Sequence, residues 1–400
     1  MAIRTLDDLD AAGTTVGVRV DINSPLANDR SLADDARLRA HVETLDELLD
    51  RGARVAVLAH QGRPGGDEFA RLEPHADRLD ELLSGPVSYC DATFTVGARD
   101  AVEALDDGEA VLLENTRFYS EEYMEFDPER ASETFLVERL SSVLDAYVND
   151  AFAAAHRSQP SLVGFPSVLD AYAGRVMEAE LDVLGNVNDQ PDPRVDIVGG
   201  AKVADSIDVV RHVLEHDLAT EVLTTGVVAN VFMLAASVDI GDASAAFVRE
   251  EGYWDQVERA ATLLDGHRDR IRLPLDVAVE RDGERTEIAQ DALPPREDES
   301  VLDIGHDTIE AYSEVVADAG TVVLNGPAGV FEDDTFAAGT RELFTAVAES
   351  DAYSVVGGGD SAAAIRRFGI EGFDHVSTGG GAALRMLTGE PLPAVDALDQ

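Results

Sequence analysis

The sequence predicts an α/β protein with largely parallel sheets, split into two domains. Three observations predict it. Short β-branched runs alternate with amphipathic stretches. That pattern pauses at a polar, proline-containing stretch, 186–193, and then restarts. Glycine-rich turns follow the strands of the second half, as expected where strands deliver a chain to helix N-termini.

In the first half, strands are expected at Thr15–Val20, Arg54–Ala59, Ala110–Leu113 and Ala146–Val148. Asp34 and Asp35 open one helix carrying Leu38, Val42, Leu45 and Leu49 on a single face. Further helices are expected over 71–83, 97–106 and 128–144. Arg175–Asn186 reads as a helix leading to the boundary. Strands then follow at Val195–Val198, Glu221–Thr224, Thr321–Leu324, Ser354–Val356 and His375–Val376. Helices are expected at Val203–Leu214, Val227–Ser237, Thr308–Ala319, Thr335–Glu349 and Ser361–Phe368. The acidic stretch 239–300 lacks the pattern, and an insertion or a β-rich patch is expected there. No tandem repeat is visible.

A chain of 400 residues is long enough for two cores. It has no apolar run of about 18 residues, so no membrane helix is expected. Residues 1–8 lack the apolar segment of a signal peptide, and Cys90 is the single cysteine. A reducing cytoplasm is the expected location. The formal charge is -48, with acids spread evenly between intact apolar patterns, which suits a solvated acidic surface. Of 31 basic residues, Lys202 is the one lysine. Such acid-rich, lysine-poor composition resembles proteins adapted to molar salt, which screens repulsion within about 3 Å. Nucleic acids and anionic membranes are disfavoured partners, since both need basic surface.

A chain this negative repels phosphates, so any phosphate chemistry must gather cations locally. Val198-Gly199-Gly200-Ala201-Lys202 is a strand end, a glycine turn and the lone lysine opening a helix. Glycines let amide groups approach phosphate oxygens, a helix N-terminus favours anions, and the lysine adds a mobile charge. The plain alternative, a turn with a surface lysine, is weakened because no other lysine exists. Gly357-Gly358-Gly359-Asp360-Ser361 repeats the arrangement and adds hard oxygen ligands suited to Mg²⁺, although Asp also caps helices. Ser377-Thr378-Gly379-Gly380-Gly381 and Thr224-Thr225-Gly226 are further members. Asn325-Gly326-Pro327-Ala328-Gly329-Val330-Phe331-Glu332 is a rigid loop that could wall a base or ribose, or be an ordinary turn.

The first half carries arginines at its strand ends instead: Arg19-Val20-Asp21-Ile22-Asn23-Ser24-Pro25, then Arg37, His60-Gln61-Gly62-Arg63-Pro64, Glu114-Asn115-Thr116-Arg117-Phe118 and Asn149-Asp150 through His156-Arg157. Each guanidinium alone reads as a surface ion pair. Shared placement at the ends of parallel strands favours convergence on a phosphate or carboxylate. Motifs for P-loop, nicotinamide, α/β-hydrolase and zinc-protease sites are absent from the sequence.

Thr224-Thr225-Gly226 aside, these motifs, eight in all, resemble the phosphoglycerate kinase family in order and spacing over essentially the whole chain. The resemblance implies two Rossmann-like doubly wound parallel-sheet domains joined by a hinge helix. It assigns 1–173 to phosphoglycerate binding, with a tail, 389–400, packing back on it, and 174–388 to the nucleotide. It implies reversible phosphoryl transfer, 1,3-bisphosphoglycerate + ADP ⇌ 3-phosphoglycerate + ATP, with Mg²⁺ and hinge closure, in a cytoplasmic monomer. Substrate positions fall on Asp21, Ile22, Asn23, Arg37, His60, Gln61, Gly62, Arg63, Arg117 and Arg157. Nucleotide positions fall on Gly200, Ala201, Lys202, Gly226, Asn325, Pro327, Glu332, Gly358, Gly359, Asp360 and Ser361, with Asp360 toward Mg²⁺ and Glu332 toward the ribose. Arg37, Lys202, Gly358 and Gly380 fall on the positions that hold the migrating group. One departure stands out: Ser206 occupies a position where many members have a second lysine. A kinase of another small acid, or a nucleotide-binding module without catalysis, would share parts of this pattern.

Overall fold

The computed structural model describes residues 3–399. The chain forms two compact units, Met1–Asp182 with Glu390–Gln400, and Val183–Gly389.

The first unit is built on six parallel strands: β1 (Thr15–Arg19), β2 (Arg54–Leu58), β3 (Val87–Cys90), β4 (Ala110–Leu113), β5 (Ala146–Asn149) and β6 (Asp170–Ala173). Their spatial order is β3-β4-β2-β1-β5-β6. The chain winds outward from β1 through β2, then crosses to β5, so β1 and β5 flank the topological switch. In such sheets ligands bind beyond the carboxyl ends at that crevice. Both faces of β1 are buried, as a central parallel strand requires. Val16, Val18, Leu45, Leu48, Val55 and Val57 share one core with the helices Val42–Asp50 and Glu73–Leu82.

The second unit repeats the design with β7 (Arg194–Val198), β8 (Glu221–Thr224), β9 (Ile271–Arg272), β13 (Thr321–Asn325), β14 (Tyr353–Gly357) and β15 (His375–Val376), ordered β15-β14-β13-β7-β8-β9. Here β7 and β13 flank the switch. Between β9 and β13 lies an antiparallel sheet of β10 (Asp276–Arg281), β11 (Glu284–Ala289) and β12 (Val301–Ile304), ordered β11-β10-β12.

Several sequence expectations need correction. The expected helix after Asp34-Asp35 is two helices, Ala36–Ala40 and Val42–Asp50, interrupted at His41. The expected helix 128–144 is Pro128–Ser132 and Phe135–Leu140, restarted at Thr134, whose hydroxyl bonds back to the Ala131 carbonyl. The stretch 239–300 holds the antiparallel strands β10 and β11, but also two helices, Asp242–Glu250 and Trp254–His267. Strands β3, β6, β9 and β12 are not among the expected ones.

The helix Arg175–Gly185 carries the chain across the division at Asp182. Its head belongs to the first unit because Arg175 is tied to Glu47 at 2.7 and 2.9 Å, to Asp7 at 2.6 Å and to Glu178 at 2.7 Å. The division therefore falls later than residues 173 and 174. In the tail, the Ala394 amide bonds to the Ala155 carbonyl at 3.1 Å.

Candidate active site

In the first unit, the end of β1 places Arg19 in full burial and turns Asp21 into a crowd of cations. Arg37 Nη1 lies 2.8 Å from Asp21 Oδ2. Burial pushes the Asp21 carboxyl up, but the cationic surroundings, Arg37 and Arg19 among them, outweigh it and hold Asp21 well below the usual carboxylate range. Arg157 is lowered by burial and by Arg63, Arg19 and Arg37, against the pull of Asp21. Arg117 is pushed down to about 10 by burial first, then by Arg157 and Arg19. Four guanidiniums, those of Arg19, Arg37, Arg117 and Arg157, thus share one carboxylate, with Arg63 close to Arg157. The lowered values of Arg117 and Arg157, to which burial and neighbouring arginines contribute, fit a pocket that could take an anion.

His60, at the end of β2, is defined by Arg19. Arg19 Nη2 lies 2.9 Å from His60 Nδ1, and a guanidinium can only donate, so Nδ1 accepts and the ring proton sits on Nε2. Burial and the nearby arginines hold His60 well below its ordinary value despite Asp21. The ring is therefore a neutral Nε2–H donor, and the arginines rather than His60 keep Asp21 ionised. Arg19 is itself held by Ser161 Oγ at 3.0 Å, whose hydroxyl donates to buried Glu122 at 2.7 Å. This support behind His60 was not assigned from sequence.

Other predicted residues act through the backbone. Gly62, with φ +66°, approaches the backbone of Glu68 so closely that a Cβ would lie 2.4 Å from its carbonyl oxygen. The Gly62 amide donates to Asn23 Oδ1 at 2.8 Å, and its carbonyl accepts from Arg117 at 2.8 Å. Gln61 is buried: its amide group bonds Ser24 at 2.8 and 3.0 Å and His75 at 3.1 Å, tying two loops together. Ile22 is a core residue. Arg37 and Arg63 are exposed, Arg157 half-buried and Arg117 buried.

In the second unit, three loops pack backbone against backbone at the switch point. The Gly199 amide donates to Asn325 O at 2.8 Å, Gly200 to Pro327 O at 2.8 Å, and Gly226 to Ala328 O at 2.9 Å. Gly326, with φ +90°, would place a Cβ 2.3 Å from Gly199 O, so only glycine fits. The hydroxyl of buried Ser361 joins this frame as an acceptor, taking the Gly326 amide at 2.9 Å. Four helix N-termini gather after these strands, at Val203, Gly226, Gly359 and Gly381. Each helix N-terminus carries a partial positive charge that favours an anion.

Beside these loops is a cavity of about 340 Å³, lined by Gly200, Ala201, Met233, Phe247, Pro327 and Val330 among others, with Glu332 and Asp360 also on its wall. Its apolar body suits a base, and its two exposed carboxylates, Glu332 and Asp360, suit a sugar and a cation. Lys202 Nζ lies 3.5 Å from Asp360 Oδ2, both more than half exposed. Buried Asp303, also on the wall, is pushed up to about 6 by burial, partly offset by the Gly339 amide and by Arg285 at 2.8 Å. Its carboxylate receives the Gly339 amide at 2.8 Å and the Ile304 amide at 2.9 Å. Among the described residues no group of three or more His, Cys, Asp or Glu could cage a metal. A lone exposed Asp360 in the first turn of the helix Gly359–Phe368 fits a cation that keeps waters and takes its remaining ligands from a bound anion. Ser206 is fully buried in the helix Val203–Glu215, so its position offers no charge to the site.

The family model of phosphoglycerate kinase matches residues 6–390. A phosphoglycerate kinase of Halobacterium salinarum is 69% identical over 398 residues, covering 100% of both chains. One of Natronomonas pharaonis is 63% identical, covering 99% of each. The crystal structure of the enzyme from Pyrococcus horikoshii superimposes with a TM-score of 0.94 at 43% identity, over 99% of this chain and 98% of that one. The salt-adapted composition accords with the two haloarchaeal relatives. With its two doubly wound sheets and its glycine and arginine motifs in register, the chain belongs to the phosphoglycerate kinase family.

Proposed function

We propose that the arginine site of the first unit holds the phosphoglycerate and the glycine-loop site of the second holds the nucleotide, for the reaction 1,3-bisphosphoglycerate + ADP ⇌ 3-phosphoglycerate + ATP. The observation that carries this reading is the Asp21 cluster, where four guanidiniums share one carboxylate in a chain of net charge -48. Arg63, Arg117 and Arg157 bind the substrate phosphate, while His60 donates Nε2–H to the substrate. Asp21 and Asn23 accept from the substrate hydroxyl. Gly200, Ala201, Gly226, Pro327 and Glu332 enclose the adenosine, and Asn325 with Gly358–Ser361 frames the phosphates.

Transfer is direct: the attacking oxygen bonds to phosphorus as the bond to the leaving oxygen breaks, with no phosphoenzyme. The protein positions the partners and stabilises charge. Arg37 and Lys202 hold the migrating group, helped by the amides of Gly358 and Gly380. Asp360 would hold Mg²⁺, which would supply charge neutralisation for the nucleotide phosphates. Closure about the helix Arg175–Gly185 removes water and strengthens each of these charges. The reading extends to a cytoplasmic monomer, since one chain carries both half-sites.

The test is a coupled assay with 3-phosphoglycerate and Mg-ATP, from low to molar KCl. Turnover that needs both substrates and rises with salt is expected. No turnover at any salt concentration would overturn the reading.

A further inference from the structure

A buried histidine–aspartate pair that none of the above chemistry uses lies between Asp21 and the helix that joins the two units. His41 Nδ1 is 2.6 Å from Asp150 Oδ2, and both side chains are almost wholly buried. Asp150 Oδ1 accepts the amide of Val176 at 2.9 Å, in the first turn of Arg175–Gly185. At Gly174 a Cβ would sit 2.2 Å from Asp150 Oδ1, so the chain enters the helix pressed against this carboxylate. A carboxylate can only accept, which puts a proton on His41 Nδ1. On the other side of the ring, Nε2 accepts the Asp21 amide at 3.1 Å.

The result is a continuous chain of hydrogen bonds: Asp21 backbone, His41, Asp150, head of the helix. Two features give it leverage. Arg37 and His41 are four residues apart, one helical turn, and both hold Asp21, the first by its carboxylate and the second by its backbone. The Thr44 hydroxyl and the Glu47 carboxylate, further along the same segment, hold the Arg175 amide and guanidinium. The segment that grips the substrate carboxylate partner therefore also grips the start of the joining helix. His41 interrupts what would otherwise be one helix, which lets it reach both.

We infer that His41 and Asp150 are positioning residues that transmit loading of the Asp21 site to the head of Arg175–Gly185, and so favour closure. This rests on the closure step proposed above. A hydrogen-bonded pair kept only for stability would not need to link the substrate loop to that helix.

The test separates the two halves of the link. Asn at position 41 offers an amide near the Nδ1 position, and Gln offers one near Nε2. His41→Asn thus keeps the Asp150 side, and His41→Gln keeps the Asp21 side. Both should lower kcat by roughly tenfold, a typical coupling factor, with KM for 3-phosphoglycerate changed less than about threefold. X-ray scattering in molar KCl should show the wild type contracting with 3-phosphoglycerate and a non-hydrolysable Mg-ATP analogue, and neither variant doing so. If the wild type contracts and either variant contracts equally with normal kcat, the link is refuted, whatever its melting temperature. If the wild type itself does not contract, closure fails as a step and the inference falls with it.

Discussion

Replacing Lys202 by Ala tests whether the solitary ammonium serves the chemistry. In the resting protein its ion pair is Asp360, at 3.5 Å with both groups more than half exposed. Giving up such a pair costs at most about 1 kcal/mol. Against a phosphoryl oxygen at about 4 Å, in a closed site with an effective dielectric near 20, the ammonium gains about 4 kcal/mol. The balance is about 3 kcal/mol, or two decades in rate. Lys202→Ala should therefore lower kcat by roughly a hundredfold or more. Its melting temperature in molar KCl should move by no more than about 2 °C, because the lost pair is exposed. Lys202→Arg should recover part of the rate, since it restores charge but not the compact geometry. The assay is steady-state turnover in both directions with thermal unfolding on the same samples. A kcat within threefold of wild type for Lys202→Ala would refute the reasoning.

Three further outcomes follow from the same geometry. Arg37→Ala, which removes the cation on Asp21, should cost at least about a hundredfold in kcat/KM for phosphoglycerate, while Arg30→Ala stays within twofold; equal losses would deny the cluster its role. Gly326→Ala sets a Cβ 2.3 Å from Gly199 O at φ +90°, so it should weaken Mg-ADP binding, measured calorimetrically, and cost about 2 kcal/mol of stability, leaving 3-phosphoglycerate binding intact. His75 is fully buried and pushed by burial from 6.5 down to about 4. The unfolded chain binds that proton first, so stability present above pH 6.5 is lost as pH falls toward 4, amounting to about 3 kcal/mol. His60 acts in the same direction. Denaturant titrations of His75→Gln should show a shallower acid loss than wild type, and an unchanged slope would exclude His75 as its source.

Much of this architecture was legible because central parallel strands are continuous apolar runs that end in glycine or arginine motifs, as in Val195–Val198 before Gly199. The strands that escaped notice sit at sheet edges or have few residues. β3 is partly exposed along its length, and β9 has two residues, so neither carries a strong apolar signal. Trp254–His267 was readable in retrospect from Val257, Ala260, Leu263 and Leu264, but acidic and polar neighbours diluted its face. The break at His41 was invisible, because Leu38, Val42 and Leu45 keep helical spacing straight through it and a tertiary bond to Asp150 decides the geometry. At the site, residue types announced the chemistry, but not which side chains point at a ligand. Gln61 and Ser361 stand within ligand motifs yet spend their polar groups on bracing loops. Arg19, buried behind His60, fixes a tautomer that no sequence spacing could disclose.

The central claim is that the two anions are captured separately, phosphoglycerate by guanidiniums and nucleotide by glycine-exposed amides. Hydrogen–deuterium exchange in molar KCl, with each ligand alone, tests it most directly. 3-Phosphoglycerate should slow exchange at 19–24, 60–63 and 116–118, and Mg-ADP at 199–203, 326–332 and 358–361. Protection by 3-phosphoglycerate in the glycine loops, with the arginine loops unchanged, would contradict the account.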